Sequence, residues 1–165
     1  MTIKYQEYEI FYKDFYELII ELECGSHFDK KENQHEEWLR KRIKYLFEYG
    51  KAICLYSEND QPIGFIFIEY DKGLKNVRCF GKRATIKMFG LFPDQRSNHL
   101  GKQLLDECEK YLLSEGCECI YVDTYAKNTG AIRYYTKQGF IPTAYHPGDN
   151  GVEDKGQVYL YKYLK

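Results

Sequence analysis

A chain of 165 residues and 19.7 kDa fits one domain of ~100–200 residues, with a core that needs no disulfide or metal staple. Its 44% hydrophobic and 30% charged residues exclude a disordered chain. Its net charge of −1 excludes wholesale electrostatic binding to nucleic acid or an anionic membrane. One number stands out: 17 Tyr and 10 Phe against a single Trp.

In chain order, residues 3–10 read as a short strand. Phe15, Leu18, Ile19 and Leu22 follow at i, i+3, i+4, i+7, the stripe of an amphipathic helix, with Gly25 as its stop. A second helix follows Asn33. Asn33-x-x-Glu36 resembles a capping box, and Leu39, Ile43, Leu46 and Phe47 form the buried stripe. Glu36/Arg40 and Glu37/Lys41 lie at i,i+4, so the charge run there reads as a solvated helix face. Trp38 on this helix either walls a ligand pocket, together with Phe28, or anchors the helix to the core.

Residues 52–56 and 63–70 are β-branched and aromatic and flank the turn Glu58-Asn59-Asp60-Gln61-Pro62, which predicts an antiparallel hairpin. A third strand spans about 84–92 and stops at Pro93, which has no N–H for a ladder. Leu100, Leu104, Cys108, Tyr111 and Leu112 mark a helix ending at Gly116. Residues 119–124 read as a strand, 131–137 as a short helix ending at Gly139, and 140–145 and 157–163 as closing strands. The order β-α-α-β-β-β-α-β-α-β-β predicts a mixed α/β sheet with flanking helices in one domain over residues 1–165.

The six cysteines (24, 54, 79, 108, 117, 119) form no C-x-x-C pair, and Cys117-x-Cys119 has no nearby His, so a metal site is not expected. The opening residues lack a secretory pattern, and no apolar run reaches the ~18–20 residues of a membrane helix. The expectation is a cytoplasmic protein with reduced, buried thiols and no membrane or nucleic-acid partner. His27, His35 and His146 share no ligand spacing.

Chemistry concentrates between Leu91 and Phe140. A strand runs into Pro93-Asp94-Gln95-Arg96-Ser97-Asn98-His99-Leu100-Gly101-Lys102, which opens a helix. A helix N-terminus offers unpaired amides and a partial positive charge, a ready site for phosphate. Gly101 lets a ligand approach the backbone, and Arg96 and Lys102 add charge. A simple connector would look much the same. Downstream, Asn128-Thr-Gly-Ala131-Ile-Arg-Tyr-Tyr135-Thr-Lys-Gln-Gly139-Phe140 joins an Asn helix start, a small residue in the first turn, a Tyr one turn on and a Gly-Phe stop.

These two segments resemble the GNAT family of N-acetyltransferases. That family pairs a loop of the form Gln/Arg-x-x-Gly-x-Gly/Ala with an Asn-x-x-Ala…Tyr…Gly-Phe segment. Arg96 and Gly101 match the first and last positions of the loop, whereas His99 stands where the family usually has its middle glycine. The imidazole would crowd a pyrophosphate or donate to it; because backbone amides do the cradling, retained binding is the reading preferred.

The resemblance implies a centrally splayed sheet that takes acetyl-coenzyme A between the strands ending near Phe92 and Thr124, and no metal. It implies that the Leu91 amide holds the thioester carbonyl, that amides from Arg96 through Ser97, Asn98, His99, Leu100 and Gly101 to Lys102 hold the pyrophosphate, and that Asn128 meets the pantetheine arm. Tyr135 would protonate the departing thiolate, a task for which a positioned phenol suits. Tyr134 is the neighbouring alternative, and core packing is the bland reading for either.

Attack on a thioester needs a neutral amine. Residues 84–92 contain no acid, which leaves Glu69, Asp71, Asp123 or water as the base. Asp123, five residues before Asn128, is similar in placement to an aspartate of aminoglycoside 6′-N-acetyltransferases that meets the substrate amine; a strand-end Asp binding water is the alternative. The acidic stretch 148–154 would border such an acceptor and suit a cationic amine. The expected function is direct acetyl transfer to a primary amine of a small cationic molecule. A protein or peptide N-acetyltransferase and a non-catalytic coenzyme A-binding domain are the rivals. A homodimer is compatible with either.

Overall fold

The structure is a computed structural model that describes residues 1–23, 33–70, 82–96, 99–147 and 156–164. Gly25, His27, Phe28, Asp71, Ser97, Asn98, the acidic stretch 148–154, Cys24 and Cys79 therefore lie outside the described residues, as does the Asn33 side chain. The elements are β1 (Thr2–Gln6), α1 (Tyr8–Glu23), α2 (Asn33–Tyr49), β2 (Gly50–Tyr56), β3 (Pro62–Tyr70), β4 (Arg83–Leu91), α3 (Leu100–Ser114), β5 (Cys119–Tyr125), α4 (Thr129–Lys137), β6 (Ile141–His146) and β7 (Gln157–Tyr163). A single 3-10 turn, Pro93–Gln95, precedes α3. The strands follow the order β1-β2-β3-β4-β5-β7-β6, so the mixed α/β sheet expected from the pattern is the one observed.

One boundary differs. The first strand ends at Gln6 rather than residue 10, and the helix begins at Tyr8. Tyr8, Ile10, Phe11 and Tyr12 favour strands as residue types, but Phe11 extends the apolar stripe of Phe15, Leu18 and Ile19 one turn upstream. Tertiary burial of that stripe outweighs the propensity, and Glu7 closes the first turn by accepting the N–H of Phe11 at 2.9 Å.

The chain packs as two compact units. The first comprises Met1–Glu69 and Met88–Cys108. There Phe11, Phe15, Leu18 and Ile19 of α1, Leu39, Ile43 and Leu46 of α2, and Ala52, Cys54, Phe65, Phe67 and Met88 of the strands form one apolar core. β1, β2 and β3 pair antiparallel, and the β2–β3 hairpin turns where the Ser57 hydroxyl accepts the N–H groups of Asn59 and Gln61. On the outer face of α2, Arg40 pairs with Glu36 at 3.0 Å and Lys41 with Glu37 at 2.7 Å, as the i,i+4 spacing predicts.

The second unit comprises Tyr70–Lys87 and Glu109–Lys165. The start of β4 pairs parallel with β5 from Arg83↔Cys119 to Ile86↔Val122, and β7 lies antiparallel between β5 and β6. Two glycines flagged as stops end helices with positive φ, Gly116 at 75° and Gly139 at 87°. Each forms the same pair of closing bonds: Gly116 and Cys117 donate to Leu113 and Leu112, and Gly139 and Phe140 donate to Thr136 and Tyr135. On the side of β7 that carries Lys162, the ammonium bridges both carboxylate oxygens of Glu109 at 2.6 and 2.7 Å and lies 5.9 Å from the Phe140 ring centre.

Candidate active site

In the first unit, the candidate cofactor elements are built from backbone. Phe92 donates its N–H to the carbonyl of Ile63 at 3.0 Å, so strand alternation turns the N–H of Leu91 to the other edge of β4. The parallel register with β5 ends at Ile86↔Val122, five residues before Leu91. Gly64 permits this end of β4 to come close. A Cβ there would stand 2.4 Å from Leu91 Cδ2 and 2.5 Å from the Gly90 carbonyl oxygen, and backbone cannot yield to such a contact.

The loop then uses its own charges. Arg96 donates from Nε to the Leu91 carbonyl at 3.0 Å and from Nη2 to Glu21 at 2.5 Å. Lys102 pairs with Asp106 one turn along α3. The positive charge expected to reach a phosphate is thus met by carboxylates within this unit. The Arg96 guanidinium instead ties the loop back to the strand end and to α1.

His99 adopts φ +58°, the left-handed region that glycine enters without strain. The backbone therefore keeps the shape that a glycine would give, and histidine is among the side chains that tolerate it best. The His99 carbonyl accepts the N–H of Gln103, which makes His99 the cap residue of α3. Leu100, Gly101 and Lys102 then carry amides with no acceptor inside the helix. Leu100 has its side chain buried, so only its amide is available to a ligand.

In the second unit, side chains carry the chemistry. Asn128 caps α4, its Oδ1 accepting the Ala131 N–H at 3.1 Å. Its acceptor atom is thereby committed, which leaves the Nδ2 group for a ligand. Tyr135 is only 6% exposed, and its ring lies 5.2 Å from that of Phe140 and 5.5 Å from that of Tyr134. The spacing of Tyr135 to Gly139-Phe140 has a local cause. Phe140 donates to the Tyr135 carbonyl across the left-handed Gly139, and the two rings make the apolar contact that accompanies such a helix end. The helix stop locks the phenol.

Asp123 lies on the opposite side of the strands. It pairs in register with Tyr159 of β7, between Tyr121↔Tyr161 and Tyr125↔Gln157. Lys162 and Leu160 alternate with those β7 residues and so face the other way, where Lys162 meets Phe140. Tyr135 and Asp123 therefore belong to opposite faces of the β5–β7 pair. Burial first, and the Asp123 charge second, hold the Tyr159 hydroxyl proton above its ordinary range.

Leu91, Arg96, His99, Leu100, Gly101 and Lys102 thus fall in the first unit, and Asp123, Asn128 and Tyr135 in the second. Glu69, next to last in β3, falls in the first unit. Trp38 is 50% exposed, so it does not serve as a core anchor. Sequence reasoning missed Gly64, Glu21 and Tyr159. Gly64 and Glu21 act through partners 27 and 75 residues away, Leu91 and Arg96; for Tyr159 the tyrosine at every second position from 159 to 163 was a signal, though it names no partner strand. Among the described residues, the thiols of Cys54, Cys108, Cys117 and Cys119 are buried, and burial pushes the Cys54 thiol far up. Among the described residues, no group of three or more His, Cys, Asp or Glu side chains could hold a metal ion, and no helix is long and apolar enough to cross a membrane.

The strand order, the helix starts and the Asn128–Phe140 segment define an acetyltransferase fold. The family profile described as Acetyltransferase (GNAT) family matches residues 8–140, and the chain belongs to that family. An N-acetyltransferase of Methanocaldococcus jannaschii is 28% identical over 132 residues, which are 77% of this chain and 55% of that protein. The chain therefore spans about half the length of that curated relative. Among solved structures, a Bacillus subtilis acetyltransferase in complex with CoA superimposes with a TM-score of 0.73 at 16% identity, covering 99% of this chain and 98% of the other. An aminoglycoside 6′-acetyltransferase type Ii superimposes with a TM-score of 0.74 at 17% identity, covering 100% and 98%. At these identities the likeness is one of fold.

Proposed function

We propose that the protein transfers an acetyl group from acetyl-coenzyme A to a primary amine of a small cationic molecule, as one catalytic domain and without a covalent acyl-enzyme. The observation that carries this reading is the placement of a buried phenol, Tyr135, and a carboxylate, Asp123, on opposite faces of one strand pair. Such an arrangement suits a reaction in which a leaving group and an attacking group arrive from opposite sides. The family membership and the CoA-bound neighbour support the co-substrate.

Acetyl-coenzyme A supplies the acetyl thioester. The residues present in each unit suit it: in the first, the Leu91 amide faces away from β3, as a thioester carbonyl requires, and the amides of Leu100, Gly101 and Lys102 suit a pyrophosphate, whereas the Arg96 N–H is spent on the Pro93 carbonyl at 3.4 Å; in the second, Asn128 offers Nδ2 to an amide of the pantetheine arm. Asp123 accepts the proton of the incoming ammonium, which frees the nitrogen lone pair for the carbonyl carbon. As the C–S bond breaks, Tyr135 gives its O–H proton to sulfur. The new N–C bond leaves one proton on nitrogen to be lost, and the tyrosinate is restored by it. No cysteine enters: the described thiols are buried, and none stands beside a helix start and a His.

The test is free-thiol release from acetyl-coenzyme A against aminoglycosides, polyamines, amino acids and peptides. Turnover with small cationic amines is the expected outcome. Turnover confined to peptides would replace the acceptor class. Saturable acetyl-coenzyme A binding with no turnover on any amine would show a binding domain instead.

A further inference from the structure

Four tyrosines of the second unit share one face of its sheet, with one carboxylate in their midst. Alternation puts Tyr121, Asp123 and Tyr125 of β5 on that face, and register puts Tyr161, Tyr159 and Gln157 of β7 opposite them. Asp123 thus has Tyr159 directly across, Tyr121 and Tyr125 two residues away along its strand, and Tyr161 on the diagonal. Tyr121 is buried as the floor, 6.1 Å in ring centres from Tyr161, whereas Tyr125 is 58% exposed at the open end. Asp123 itself is partly exposed.

Among the described residues the carboxylate is not taken up by its cross-strand neighbour. Tyr159 is the nearest hydroxyl in register, and it donates instead to Gln157 Oε1 at 3.0 Å. Among the described residues the Asp123 carboxylate takes no side-chain hydrogen bond and no ion pair. A half-buried anion beside aromatic rings complements one kind of ligand: an organic cation whose charge meets the carboxylate and whose alkyl or ring body lies on the π faces. A peptide main chain would seek an open strand edge, and this surface is the flat of the sheet.

We propose that Asp123 with Tyr159, Tyr161 and Tyr125 forms an ammonium-selective cradle that chooses the acceptor, with Tyr159 and Tyr125 as specificity-determining residues. The proposal rests on the acetyltransferase reading for its place in catalysis, though cation binding stands apart from turnover. The phenol of Tyr159 is spent on Gln157, so its ring is the part that recognises the ligand. Tyr159→Phe therefore keeps recognition and Tyr159→Leu loses it.

The experiment uses the full chain, tyrosine-ring labelled, titrated with tetramethylammonium, which cannot be acetylated, and with tert-butanol as a neutral body of like shape. Expected are saturable NMR shifts of the Tyr125, Tyr159 and Tyr161 ring signals with the cation only. These shifts weaken in Asp123→Asn, Tyr159→Leu and the surface variant Tyr125→Ala, and persist in Tyr159→Phe. In thiol-release assays Tyr125→Ala and Tyr159→Leu raise the amine KM roughly tenfold while the acetyl-coenzyme A KM holds. Equal response to both probes, or none, overturns the cradle. So does sedimentation showing a dimer that Tyr125→Glu dissociates, because the face would then hold a second copy. Cation-specific shifts without thiol release on any amine sink the catalytic reading and keep the cradle; thiol release indifferent to these substitutions does the reverse.

Discussion

Tyr12 and Tyr56 of the first unit lie inside it, whereas Tyr125 and Tyr163 of the second stand more than half exposed on its sheet. Tyr56 donates to Asp14 at 2.7 Å and accepts from Gln6 at 3.0 Å, tying α1 to β1 and β2. Tyr12 carries the Arg40 guanidinium 4.5 Å above its ring, between α1 and α2. The same residue type thus staples helices to strands in one unit and furnishes a surface in the other. The candidate residues divide similarly. Those of the first unit are backbone, namely the Leu91 amide and the start of α3, with the nearby charges neutralised by Glu21 and Asp106. Those of the second unit are the side chains Tyr135, Asp123 and Asn128. A backbone site tolerates an unusual side chain such as His99 provided that the dihedrals survive, and a side-chain site does not.

That contrast can be broken or sharpened by substitution. The largest effect is expected at Tyr135. Tyr135→Phe removes the proposed acid and leaves the ring against Phe140, so turnover falls about 10²-fold or more while acetyl-coenzyme A affinity stays. Unchanged turnover would take Tyr135 out of the acid role. Next is Gly64→Ala, whose Cβ meets the backbone of Gly90 and Leu91. A loss of about 1–3 kcal/mol in denaturant unfolding, with a raised acetyl-coenzyme A KM, is expected; a neutral result would show that the end of β4 is free to move.

Arg96→Met removes an ion pair that is about half exposed and contributes only about 0–1 kcal/mol, but it also frees the Leu91 carbonyl. Stability should hardly change, while the acetyl-coenzyme A KM rises a few-fold at low and high salt alike. A steep salt dependence that disappears in the variant would mean that the guanidinium meets the phosphates after all. His99→Gly relieves the left-handed backbone of a Cβ, worth about 1 kcal/mol, partly offset by the freer unfolded chain. Acetyl-coenzyme A affinity should hold or improve; a large loss would make the imidazole a phosphate ligand.

The smallest effect concerns Tyr12, which burial pushes from 10.0 to about 12 against the pull of Arg40. A raised folded-state value means that the stabilisation is complete below about pH 10 and is lost as pH climbs through 12. Tyr12→Phe should flatten alkaline unfolding in that window, read by far-UV signal. In the second unit, Tyr159 titrates above its ordinary range partly because of Asp123, and Asp123→Asn should bring it down.

Much of this was legible in the sequence because it is local. The helix stripes, the hairpin turn and the two glycine stops depend on neighbours within a few residues, and each appears where the pattern places it. The Tyr135–Gly139–Phe140 spacing is local too, since one helix end fixes it. The first strand was misjudged because Tyr and Phe between residues 5 and 12 suit a strand as residue types, and only the core on the far side of α1 decides for helix.

By itself, then, the sequence determined the order of elements, the family and the helix start that follows β4, since these rest on periodicity and contiguous motifs. Tertiary structure alone decided how its charges and tyrosines are used. Arg96 meets Glu21 across 75 positions, and Asp123 meets Tyr159 through strand register. Register and helix docking are set by burial of whole faces, and a partner so chosen leaves no mark in the residues beside it.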